Sequence, residues 1–253
     1  MAEDRADFET KGAIGIAWIE NPVKGNALSS KVLRDLLEIL NIVERDKKLL
    51  FLIVSSRGKH FSTGFDIAGI EDTDAVRERL DSLGRLLPQV ERLRVPVLAA
   101  VRGAALGGGF ELALACDMIV ASEKASFSFP EPALGACPLF GAIRLPPLVG
   151  RLRAKEIMMT CRRVPASEAA SIGLVNKVVA DEELMDSAIS LAEDIVKKGP
   201  IAIQMIKVTM NRGMGGPDLA YLKGTDLSSR GFKDFQEGVK AFFEGKAPRF
   251  KGR

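Results

Sequence analysis

Apolar positions change their spacing several times along the first three-quarters of the chain. The stretches AIGIAWI (13–19), LLFLIVSS (49–56) and VPVLAAV (95–101) are runs of strand length. The continuous apolar character of 49–56 predicts a strand covered on both faces. Between the first two runs, Leu33, Leu36, Leu37, Leu40 and Val43 recur at helical spacing, with Ser29 or Ser30 placed to cap the helix they predict. A polar loop (57–69) leads into a second helical segment that ends near residue 92. DMIVAS and ASFSF read as two short strands separated by a charged turn. The order β-α-β-α-β-α predicts an α/β protein with a largely parallel sheet and helices packed on it.

From about residue 181 the pattern is helical throughout. Asp181 is read as the cap of EELMDSAISLAEDIVKKG, which Gly199 and Pro200 terminate, and FKDFQEGVKAFFEG is the last helix. These patterns divide the chain into an α/β core, 1–195, and a helical extension, 196–253. The extension has little apolar volume of its own, so it must pack on the core or on a neighbouring subunit.

Composition narrows the classes of function. Hydrophobic residues make up 47% and charged residues 27% of 253 positions, the balance of a soluble globular protein. A formal charge of +3, from 36 basic and 33 acidic residues, is too small and too scattered for a nucleic-acid partner. Basic residues thicken only in EGKAPRFKGR, which suits either a solvated tail or an anionic ligand. No stretch approaches the roughly 20 apolar residues of a membrane span, and MAEDRADFE is not a signal peptide. Cys116, Cys137 and Cys161 form no CxxC and no metal-ligand spacing, so no metal is expected. Reduced thiols and a cytoplasmic location are expected. His60 is the one histidine and is read as structural or exposed, which leaves acid–base chemistry to carboxylates, lysines, the lone tyrosine or thiols.

The candidate chemistry centres on GAALGGGFELALACD (103–117). A helix opening at Gly108 or Gly109 leaves its first N–H groups without intrahelical partners, and its dipole attracts negative charge. Three readings fit this run: a tight strand-to-helix connection, a phosphate cradle, or an oxyanion hole. The spacing matches neither GxGxxG nor GxxxxGK[ST]. Glu111 in the first helical turn would repel a phosphate but could move a proton beside an activated carbonyl. A second carboxylate, Glu131, stands between Pro130 and Pro132 in a loop about 20 residues on. The loop GKHFSTGFDIAGI (58–70) follows strand 49–56 as the glycine run follows strand 95–101. Ligands collect at such carboxyl ends of strands, so each loop can lend one backbone donor to the same carbonyl. Gly64 permits the turn and Phe65 N–H is the donor beyond it. Asp66 is read as bracing the loop through backbone hydrogen bonds.

Taken together, NPVKGNALS, FSTGFDIAGI, PVLAAVRGAALGGGFELALACDMIVAS, FSFPEPALG, RLPPLVG, ASEAASIGLVNKVV and FFEGKAPRF resemble the crotonase superfamily, the enoyl-CoA hydratase/isomerase family, over nearly the whole chain. The resemblance implies a crotonase (ClpP/crotonase-like) fold with a helical trimerisation extension, and assembly as a trimer or a dimer of trimers. The implied ligand is an acyl group on coenzyme A, which belongs to the substrate, so no separate cofactor is implied. Phe65 and Gly108 fall on the family's paired oxyanion donors, and Glu111 and Glu131 on the two hydratase glutamates. The substrate and its coenzyme A portion would rest near Lys24, Asn26, Ala27 and Leu28, near Thr63, Gly64, Asp66 and Ile67, and near Gly107. The implied reaction is addition of water to a 2-enoyl thioester, Glu131 giving the proton to C2 and Glu111 activating water. An isomerase, a thioester hydrolase and a non-catalytic scaffold are the alternatives on the same fold. The chain departs from the family at CPLFGAIRL, one residue short, where Leu139 and Phe140 are expected beside the acyl pocket. A branched, cyclic or very short acyl group suits that departure as well as a linear one.

Overall fold

The computed structural model describes residues 4–66, 73–211 and 233–251. Its main sheet has six strands in the order β1-β2-β3-β4-β6-β9. These are β1 (Arg5–Lys11), β2 (Ile14–Glu20), β3 (Phe51–Ser56), β4 (Val97–Val101), β6 (Met118–Ser122) and β9 (Lys177–Val179). Only β1 and β2 pair antiparallel; the other neighbours are parallel. A second sheet, in the order β5-β7-β8, joins β5 (Ala104–Leu106), β7 (Ser126–Ser128) and β8 (Val164–Pro165).

Alternation along the central strands divides the core in two. Leu52 and Val54 of β3 and Val97, Ala99 and Val101 of β4 face one cluster. Helices α1 (Ser30–Arg45), α2 (Thr73–Arg92) and α3 (Gly108–Ala115) complete that cluster with Leu33, Leu36, Leu86, Val90 and Phe110. Phe51, Ile53, Leu98 and Ala100 face the other way, under Leu184, Ala188 and Ala192 of α7 (Leu184–Val196). Each large side chain so buried contributes about 1.5–3 kcal/mol, which is why 49–56 carries no polar alternation until Ser55. Ser29 caps α1, its hydroxyl accepting from Val32 N–H at 3.3 Å.

Two expectations change. The charged stretch 5–11, not expected to be a strand, forms edge strand β1, held by the full β2 register and by Arg5–Glu20 at 3.0 Å. An edge strand packs one face and needs charge on its rim, so its apolar signal is weak. Asp181 does not cap α7, which starts at Leu184 with no side-chain cap. Its carboxylate instead accepts from Ser122 Oγ at 2.7 Å and pairs with Arg102 at 3.0 Å and Lys124 at 3.6 Å. The Ser122 hydroxyl foremost, against burial and with Arg102 and Lys124, holds it below the ordinary aspartate range.

The remaining helices are α4 (Leu139–Val149), α5 (Arg151–Thr160), α6 (Ala166–Ser171), α8 (Pro200–Asn211) and a last one over Lys233–Glu244. Helix α8 is tied to the core by buried Lys207, whose ammonium donates to the Val90 and Val95 carbonyls at 3.0 Å and meets Asp117 at 2.7 Å. Among the described residues no group of histidine, cysteine, aspartate or glutamate side chains has the arrangement of a metal site. No described helix is long and apolar enough to cross a membrane.

Candidate active site

The three glycines at the start of α3 meet three different neighbours. Gly107 has φ 50° and ψ −124°, a conformation that disfavours any side chain. A Cβ there would overlap the Glu131 carboxylate. At Gly109 a Cβ would come within 2.6–2.8 Å of Ser62, so this glycine sets how closely the helix packs on the neighbouring chain. Gly108 looks into the site. A Cβ on it would stand 3.7 Å from Phe65 N, with Leu83 at 3.2 Å and Leu28 at 3.7 Å.

The segment carrying Phe65 is held on both sides. Ser62 bridges to Ala105 of β5, with Ser62 N–H donating to Ala104 O at 3.1 Å and Leu106 N–H to Ser62 O at 2.9 Å. Leu28 N–H donates to Gly64 O at 2.7 Å, and Asp66 N–H donates to Leu28 O at 3.4 Å. Gly64, at φ +94°, turns the chain where a Cβ would strike the Leu106 carbonyl. The groups flanking Phe65 are therefore spoken for while its own N–H is not. Neither the Phe65 nor the Gly108 amide donates to any acceptor among the described residues. Two free donors close together beside a cleft are what an oxyanion hole requires.

Both carboxylates lie at this point. Glu111, 6% exposed, accepts from Gly141 N–H of α4 at 2.9 Å. Burial pushes it above the ordinary glutamate value, and the Gly141 and Phe140 amides pull it back. Glu131 opens a short 3₁₀ turn, Glu131–Leu134, after β7. Its Oε2 is buried without a hydrogen-bond partner. Burial foremost, opposed by its own backbone N–H and aided by the Glu111 charge, pushes it up to about 7. The two acids are thus near enough to feel one another and unequal in environment, the pattern that separates an acid from a base.

Of these groups Phe65 and Glu131 line a cleft of about 530 Å³, with Lys24, Ala27, Thr63, Asp66, Gly107, Pro130 and Leu134, while Gly108 and Glu111 lie behind that lining. Lys24 and Asp66 form an ion pair across it at 2.8 Å, so the Asp66 side chain engages an ammonium as well as belonging to the loop. Thr63 Oγ1 donates to Lys24 O at 2.9 Å. Asn26 is brought near but turned inward: its amide donates to the carbonyls of Arg57 and His60, and its oxygen accepts from Asn21 N–H. Leu28 is fully buried; its backbone pairs with the Phe65 segment and its side chain lies against Gly108. Ile67 lies outside the described residues. Leu139 and Phe140 are not among the residues lining the cleft; the Leu139 side chain is 70% exposed. His60 Nδ1 accepts from Ala104 N–H at 3.1 Å, beside the start of β5.

Three contributors escaped the sequence reading: Leu83, which closes the space over Gly108, and the Phe140 and Gly141 amides on Glu111. Helical periodicity marks Leu83 as apolar but does not say what it faces. The glycine in LFGAI was visible, yet nothing local pairs it with an acid 30 residues earlier.

Comparison with known proteins places the chain in one family. The family model described as Enoyl-CoA hydratase/isomerase matches residues 9–253. The short-chain-enoyl-CoA hydratase of Clostridium acetobutylicum is 39% identical over 211 residues, covering 82% of this chain and 81% of that protein. The crotonyl-CoA hydratase of Syntrophomonas wolfei is 36% identical over 99% of both. Among solved structures, an enoyl-CoA hydratase from Bacillus anthracis superposes with a TM-score of 0.94 at 34% identity, over 98% of this chain and 100% of that one. The chain belongs to the enoyl-CoA hydratase/isomerase family and has the crotonase fold.

Proposed function

We propose that the protein is an enoyl-CoA hydratase that adds water in syn fashion across the 2,3 double bond of a 2-enoyl-CoA thioester. The observation that carries this reading is the pair of unengaged amides, Phe65 and Gly108, beside two carboxylates of unequal environment. The thioester oxygen sits between the two N–H groups. Attack of water at C3 moves negative charge onto that oxygen, and each well-aimed donor lowers the barrier by about 3 kcal/mol.

Glu111 is the base that holds and activates water: burial raises it, but the Gly141 and Phe140 amides of α4 offset part of that burial and favour its ionised form. Glu131 gives the proton to C2, because a carboxyl with a value of about 7 still keeps its proton in about half of the molecules near neutral pH. Both acids lie on one side of the substrate, which gives syn addition. Coenzyme A enters past Lys24 and Thr63 as part of the substrate, and the reaction needs no further cofactor.

The extension beyond residue 195 serves assembly as a trimer or a dimer of trimers. Exposed Ile143, Leu152, Met159, Ile206 and Met210 on α4, α5 and α8 support an apolar contact of that kind. Three free thiols support a reducing, cytoplasmic setting.

The test is incubation with crotonyl-CoA while following loss of the conjugated thioester absorbance. The reading expects 3-hydroxyacyl-CoA, with one solvent deuterium at C2 in heavy water. Double-bond migration without water uptake selects an isomerase instead, and release of free thiol selects a hydrolase.

A further inference from the structure

Glu111 is held by amides of a different helix, so its position and charge depend on whatever sets α4. That helix follows an exposed loop, 133–137, and its N-cap residue, Pro138, offers no side-chain bond to the first turn. Its inner face packs through Gly141, Leu145 and Val149. Such a narrow apolar stripe fixes the separation of helices better than their rotation. One polar clamp crosses it. Arg144 Nη2 donates to Glu91 Oε2 at 2.7 Å, and Arg144 Nε lies 2.5 Å from Glu91 Oε1. The Arg144 guanidinium carbon is also 5.4 Å from the centroid of the Phe140 ring, one turn earlier.

We propose that Arg144, held by Glu91, is a positioning residue for Glu111: it fixes the first turn of α4 so that the Phe140 and Gly141 amides stay on the Glu111 carboxylate. Glu91 stands in the last turns of α2, the helix whose Leu83 closes the space over Gly108. A close ion pair, in which Nη2 makes the hydrogen bond and Nε lies against Glu91 Oε1 without one, therefore ties the helix beside the oxyanion donors to the helix that holds the base. The charged groups around Glu111 agree with an action through amides. Glu131 is the titratable neighbour whose charge it shares, Arg144 is turned to Glu91, and on α2 the Arg79 guanidinium lies over the Phe65 ring at 5.2 Å.

The inference rests on the hydratase reading, and its test separates the two. Arg144→Met, Glu91→Gln and the double variant are made in the full chain and assayed with crotonyl-CoA across pH. Each single variant is expected to lose on the order of tenfold or more in kcat while KM stays within about twofold. The acidic limb of kcat/KM moves to higher pH, and the double variant is no worse than the more impaired single one. Carbon-13 carboxyl titration gives a readout independent of turnover: Glu111 titrates at higher pH in both single variants than in the wild type. If Arg144→Met does not fold, Glu91→Gln carries the test, since it keeps the shape of the pair. A Glu111 titration unchanged in the folded variants overturns the positioning role, whatever their activity. A wild type that does not hydrate crotonyl-CoA overturns the reading of function, and the carboxyl titration alone then decides the inference.

Discussion

Gly107 and the Glu131 carboxylate share one space: the position a Cβ would take on Gly107 is filled by the acid of a loop 24 residues later. The glycine run that opens α3 therefore does more than bare two amides. It seats the second acid against the first turn of the helix that bears Glu111.

Gly107→Ala should accordingly displace Glu131 rather than disturb coenzyme A contacts. The methyl both strikes the carboxylate and sits on a backbone of positive φ, which costs of order 1–3 kcal/mol. Steady-state kinetics should show kcat falling by roughly 10²-fold with KM little changed. A rise in KM with kcat intact would place Gly107 in binding instead.

The acids should separate by pH. Glu131 is buried towards neutrality, with a value of about 7, so its proton-donating form is lost above that pH. The alkaline limb of kcat/KM should fall near pH 7 in the wild type and vanish in Glu131→Gln, whose residual activity is about 10²–10⁴-fold lower. Glu111→Gln should lose a similar factor but keep thioester affinity, as measured by fluorescence titration with a saturated acyl-CoA.

The same shift carries a stability prediction with a definite sign. Glu131 binds its proton more tightly in the folded state than at its ordinary value of 4.5, so folding stability falls as pH rises from about 4.5 through about 7. Glu131→Gln should therefore melt above the wild type at pH 8, and the difference should close as pH approaches 4.5. Parallel melting curves across that window would contradict the burial of an ionised carboxylate.

Lys207 gives a test of how α8 joins the core. Its ammonium satisfies two carbonyls and pairs with Asp117, whose other contact is the Val97 N–H at 2.7 Å. Lys207→Ala strands a largely buried carboxylate, at a cost on the order of 3 kcal/mol, read by denaturant unfolding. Lys207→Met fills the space but leaves the same charge, so it should recover only part of that loss.

What the sequence made legible follows from how local each signal is. The apolar run at 49–56 and the glycine-bracketed start of α3 declare themselves, because burial on both faces and missing Cβ atoms leave marks in consecutive residues. Strand β1 does not, since Arg5, Asp7 and Glu9 face its rim and only pairing to β2 reveals it. Asp181 had the composition of a cap, but three long-range partners claim its carboxylate. The placement of Glu111 and Glu131 together came through resemblance, not spacing. The amides of α4 on Glu111, and the arginine that sets that helix, depend on tertiary packing that no periodicity encodes.

The account's central claim is that Phe65 and Gly108 donate to the thioester oxygen, and the thioester carbonyl stretch of a carbon-13-labelled acyl-CoA bound to the protein tests it most directly. In the wild type the band should move to lower frequency than in water, as two amide donors polarise the bond. In Gly108→Pro, which removes one donor at the first position of α3 and presses on Leu83, most of that shift should disappear together with about 10²–10³-fold of kcat. A carbonyl band at its solution frequency in the wild-type complex, or the same shift retained in the variant, would contradict the claim.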